Sequence, residues 1–147
     1  MTNINNNLKL METILTVTIV FLASFLGNVY AHELGHYVVA DMFGLSPKMS
    51  FEPANEALNF GVESKELAYT EFNQTQNKDQ MFFIALAGPL VNLLLVMIFL
   101  LIYINYRHIP IIQNIAIGGL IPSIFSFVVN IIPYASSDGM AIISSIL

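Results

Sequence analysis

The chain has 147 residues, of which 56% are hydrophobic and only 10% charged, and its net charge is -5. A soluble domain carries about 25% charged residues, so these charges are too few to cover a surface this apolar, and disorder, which needs high charge and low hydrophobicity, is excluded as well. The acidic balance argues against nucleic acid as a partner, and with no cysteine any metal must be held by His, Asp and Glu.

The charges are unevenly placed. Residues 13–31, 80–106 and 109–137 have none. Each run reaches the ~20 residues that cross a bilayer as a helix. A helix in lipid satisfies its own backbone hydrogen bonds, so such runs need no water. The sequence therefore predicts an all-α membrane protein with three transmembrane helices in one unit, residues 1–147. The lipid bilayer is its first partner.

Residues 1–12 form a short polar start. Span one is expected over about 13–43. Its helical pattern runs through His32-Glu-Leu-Gly-His36 to Gly44, a C-cap candidate, with Pro47 beyond. A cleavable leader ending at Val29-Tyr30-Ala31 is the rival reading. Lys9 is its only basic residue, and the helical pattern crosses the cut.

Residues 44–79 are expected to be a surface loop holding three Lys, five Glu and one Asp. Lys48–Glu52 and Leu58–Val62 alternate as strands do. With a turn at Pro53–Asn55, they predict a small β-hairpin at the membrane surface. An unwound peptide can join such an edge as an added strand. The run from Asn73 to Asp79 reads as loop.

Span two is expected over 80–106, with Gly88-Pro89-Leu-Val-Asn92 near its start. Asn105–His108 form a short turn. Span three is expected over 109–130, loosened by Gly118, Gly119 and Pro122. Asn130-Ile-Ile-Pro133 should end it, because Pro removes a donor and disfavours helix before it. Residues 139–147 are apolar but too few to cross. Three crossings put His32–His36, Gly88–Asn92 and Asn130–Asp138 at the same membrane face, so polar clusters far apart in sequence meet at one depth.

His32-Glu-Leu-Gly-His36 has the form HExxH. Residues four apart share a helix face, so both imidazoles can reach one Zn²⁺. Glu33 stands beside them, placed to act as a base on water. Ionisable groups at membrane depth are costly and usually mark a site. A catalytic zinc takes a third protein ligand and keeps one position open. Asp41 and Asp138 are the candidates. Asp41 projects off the His face, whereas Asp138 follows a helix break, so Asp138 is the expected third ligand. Its competing role is to cap the helix that follows. Gly88 lets a neighbouring helix approach, and Asn92 and Asn130 are expected to bind substrate or shape the site. Ser136 and Ser137 are expected to line a polar cavity there. His108 lies at the opposite face.

Together these pieces resemble the site-2 protease family of intramembrane zinc metalloproteases. The family pattern is HExxH, then Gly-x-x-x-Asn, then Asn-x-x-Pro-x-x-x-x-Asp-Gly. Here these are His32–His36, Gly88–Asn92 and Asn130–Gly139, in that order. The resemblance implies Zn²⁺ held by His32, His36 and Asp138, with Glu33 catalytic. It implies a membrane-protein or membrane-peptide substrate, with Asn92 and Asn130 helping to hold it. It favours the site facing the cytoplasm of a bacterial or archaeal cell, where the protein would be a multi-pass membrane protein. Met140 stands where many members have a second Gly. Many also carry further helices or a PDZ or CBS domain, so the expectation is either a bare catalytic core or one whose packing a homo-oligomer or a helper membrane protein completes. The motifs of serine and aspartyl intramembrane proteases are missing. The alternative is a metal-binding membrane protein without protease activity, a sensor, immunity or assembly partner. Binding metal does not require Glu33, so its presence favours the enzyme.

Overall fold

A computed structural model describes residues 2–51, 68–73, 75, 77–134 and 137–147. The chain runs α1 (Thr2–Met42), β1 (Lys48–Phe51), β2 (Ala68–Glu71), α2 (Lys78–Tyr106), α3 (Pro110–Ile131) and α4 (Asp138–Ile146). Helices α1, α2 and α3 are long and apolar enough to cross a membrane, and each packs on the other two.

Helix α1 has 41 residues and starts earlier than its apolar run. Adding a turn to an existing helix costs far less than starting one, and Leu8–Glu12 are good helix formers. Its other end is a Schellman motif. Gly44 has a positive φ of 71°. Its N–H donates to Asp41 O at 2.8 Å, and that of Leu45 to Ala40 O at 3.1 Å. Helix α2 is capped by Asn77 Oδ1, which accepts from the N–H groups of Asp79 and Gln80.

The core is the reverse of a soluble one. The largest fully buried side chains among the described residues are Asn28, Asn92, Pro89, Pro122 and Ser123, while Leu22, Leu26, Leu94, Leu101 and Phe125 are exposed. In lipid, close packing of small residues and hydrogen bonds between helices hold a bundle together. Asn28 Nδ2 on α1 donates to Ser123 Oγ on α3 at 3.1 Å. Gly118 and Gly119 do not loosen α3, which continues to Ile131. A Cβ at Gly118 would stand 2.9 Å from Val20 Cβ on α1, and one at Gly119 would overlap the Phe99 ring on α2. These two glycines set how closely the three helices approach.

The sheet between spans one and two is present, but its second strand differs from the expected one. β1 pairs antiparallel with β2 at 68–71, with Lys48 opposite Glu71 and Met49 opposite Thr70. Tyr69 and Thr70 suit a pleated surface, and Ala68 is buried. The expected partner 58–62 and the turn at 53–55 lie outside the described residues.

Candidate metal centre

His32 and His36 face the same way from α1, one turn apart, and their Nε2 atoms are 3.1 Å apart. Asp138 meets both, with Oδ2 3.0 Å from His32 Nε2 and Oδ1 3.3 Å from His36 Nε2. These three form the one candidate metal-holding group among the described residues. Asp41 is exposed and apart from them, as is His108.

Asp138 reaches the imidazoles because Ser137 does the capping. Chain regularity ends at Ile132, which is extended before Pro133. Ser137 Oγ then accepts from Met140 N–H at 3.2 Å and from Tyr134 N–H at 3.0 Å. Asp138 is thus the first helical residue, with its carboxylate free. Gly139 presses the start of α4 onto α3; a Cβ there would overlap the Ile131 carbonyl. Asp138 lies outside the three long helices. Burial raises its carboxyl, but hydrogen bonds and charge from His32 and His36 hold it below the usual carboxylate range.

The donor set fits zinc. Ligands ~2.0–2.1 Å from a tetrahedral ion stand about 3.3 Å from one another, close to the separations of 3.0, 3.1 and 3.3 Å here. Two ring nitrogens and a carboxylate aimed at one point repel unless a cation or proton lies between them. The outer nitrogens are also provided for. His36 Nδ1 is 2.6 Å from Ile84 O, and only an N–H can serve a carbonyl, so its proton sits there and Nε2 keeps its lone pair. His32 Nδ1 has Asn92 at 3.0 Å and Asn130 at 3.3 Å. Asn92 Oδ1 is buried without a partner. With His32 loaded through Nε2, its Nδ1–H needs an acceptor, and that oxygen is available once the amide turns over.

Glu33 is buried beside the cluster, with Oε1 4.0 Å from His32 Nε2. Its other side meets β2. Thr70 Oγ1 lies 2.9 Å from Glu33 Oε2 and 3.0 Å from the Glu33 carbonyl oxygen. A cavity of about 430 Å³ opens onto His32, Glu33, His36 and Asp138. Asn130 and Ser137 line it, whereas Asn92 is fully buried behind His32. Ser136 lies outside the described residues. Gly88 has a closer role than helix packing. A Cβ there would overlap His36 Nε2 and stand 2.5 Å from His32 Cε1.

Sequence reasoning missed Thr70 and the Ile84 carbonyl. A backbone acceptor has no signal in residue identity. Thr70 had a weak one, since Tyr69-Thr70 favours a strand.

The sequence model of a family described as Peptidase family M50 matches residues 20–119. That stretch includes His32–His36 and Gly88–Asn92 but ends before Asn130 and Asp138, which join the cluster through the fold. No curated protein and no solved structure matches the chain.

Proposed function

Since the chain belongs to peptidase family M50, the site-2 protease family, we propose that it is an intramembrane zinc metalloprotease cutting peptide bonds of membrane-embedded substrates. The observation that carries this reading is the meeting of His32, His36 and Asp138 beside Glu33, on a cavity between spanning helices.

His32, His36 and Asp138 would hold the ion. A zinc ion bound there supplies Lewis acidity for the scissile carbonyl. Glu33 takes a proton from the attacking water and passes it to the leaving nitrogen. The new C–O bond forms first, giving a tetrahedral carbon, and the C–N bond then breaks as the nitrogen takes the proton from Glu33. Ile84 O and Asn92 keep the imidazoles in orientation. Asn130 borders both His32 and the cavity, which suits contact with the substrate. A helical substrate hides its peptide bonds, so it must be locally unwound. Tyr69 and Thr70 of β2 border the same cavity and offer an extended segment to pair with.

The test uses the full chain in lipid vesicles with designed single-span peptides, read by mass spectrometry. Cleavage is expected to stop when a chelator removes zinc and to return on zinc addition. Asp138→Asn is expected to weaken zinc binding by at least about 100-fold, the upper end of what losing a partner behind a ligand costs, with a parallel loss of cleavage. Full zinc content and cleavage in Asp138→Asn would remove Asp138 from the ligand set. Cleavage that persists without metal would overturn the reading.

A further inference from the structure

The two carboxylate oxygens of Glu33 have different surroundings. Oε1 faces the metal ligands, 4.0 Å from His32 Nε2, while Oε2 is 2.9 Å from Thr70 Oγ1 on β2. We propose that Thr70 is a positioning residue that holds the Glu33 carboxylate in its working orientation, and so makes the surface strand part of the catalytic apparatus. This rests on Glu33 being the base.

A hydroxyl has one proton. The Glu33 carbonyl at 3.0 Å competes for it, but a bond to a charged acceptor is roughly twice as strong as one to a neutral group. Glu33 has several rotatable bonds and sits at the edge of a cavity, where a free carboxylate would turn toward water. One donated hydrogen bond to Oε2 leaves Oε1 directed at the site. The donor to Oε2 comes from another element, Thr70 of β2, two residues along the strand from the buried Ala68.

The test is binding of acetohydroxamic acid, a zinc chelator that gives its proton to a neighbouring base when it binds. Zinc-loaded full-length protein in lipid nanodiscs is titrated calorimetrically. Thr70→Val removes the hydroxyl and nearly keeps the shape. It is expected to hold one zinc per chain and to bind the hydroxamate about tenfold more weakly, the size of one hydrogen bond to a charged group. Thr70→Ser should recover wild-type affinity to within about twofold, since it keeps the donor. Where a cleaved peptide is in hand, kcat should follow the same order with KM unchanged. Wild-type affinity in Thr70→Val overturns the proposal. So does equal weakness of the Ser and Val variants, which would assign the effect to packing, or loss of zinc from Thr70→Val, which would assign it to the metal ligands. A wild type that holds no zinc, or a Glu33→Gln variant that binds the hydroxamate as well as wild type, sinks the proposed function instead.

Discussion

Gly88→Ala is expected to cost the protein its zinc. The added methyl would overlap His36 Nε2 and stand 2.5 Å from His32 Cε1 and 2.7 Å from His36 Cε1. The neighbour is the edge of each ring that must face the ion, not the far end of a flexible chain. Both rings are held from behind, His36 by Ile84 O at 2.6 Å and His32 by Asn92 at 3.0 Å. They can yield only by breaking those bonds. Zinc affinity should fall by about 100-fold or more, at or beyond the upper end of what losing a supporting contact costs. Zinc per chain, measured after equilibration against a graded series of chelators, gives the answer. Gly27→Ala is the control: nothing lies within 4 Å of a Cβ there, so the same substitution on α1 should leave zinc content unchanged. Wild-type zinc retention in Gly88→Ala would mean that the imidazoles do not rest on α2 in this way.

Glu33→Gln should separate binding from chemistry. Glutamine keeps the shape and the reach to Thr70, but its amide cannot take a proton from water. Glu33 also stands outside the set of atoms 3.0–3.3 Å apart, its nearer oxygen being 4.0 Å from His32 Nε2. Zinc content should therefore hold while kcat drops about 10²–10⁴-fold, the range general-base catalysis contributes. Single-turnover cleavage with zinc measured in parallel decides it. Undiminished cleavage would remove Glu33 from the chemistry, whereas a wild type that holds zinc and cleaves nothing would leave the protein as a metal-binding membrane component.

Much of this centre was legible beforehand, for a physical reason. Charge at membrane depth is so costly that each instance carries information. Glu33 and Asp138 stood out against long uncharged runs, and the HExxH spacing joined two imidazoles to one of them. The crossing parity of three spans then brought Asp138 to the same face. The helix ends were legible where Gly44 and Pro133 impose backbone geometry. The sheet was only half legible. Lys48–Phe51 showed its alternation, but a strand of four residues in a charged loop has little pattern to find, and pairing is fixed by what the strand packs on. Ala68 and Thr70 are set by α1, which a local reading of residues 44–79 does not see. The cap was missed for a similar reason. Ser137 and Asp138 are both good N-cap residues, and the geometry after Pro133 gives that role to Ser137, freeing the acid.

For the proposed cleavage of membrane-embedded substrates, the position of the centre along its helices would also set the fate of a product. His36 lies six residues before the end of α1 at Met42, and Ile84 six residues after the start of α2 at Lys78. At 1.5 Å per residue, both place the site about 9 Å from the helix ends that lie beside the sheet. A substrate crossing beside these helices would then be cut within about six residues of one end of its span, and always the same end. The piece on the sheet side would leave with roughly six apolar residues, far short of the ~20 needed to stay anchored. A single cut at this depth would therefore turn a membrane-tethered segment into a freely diffusing one.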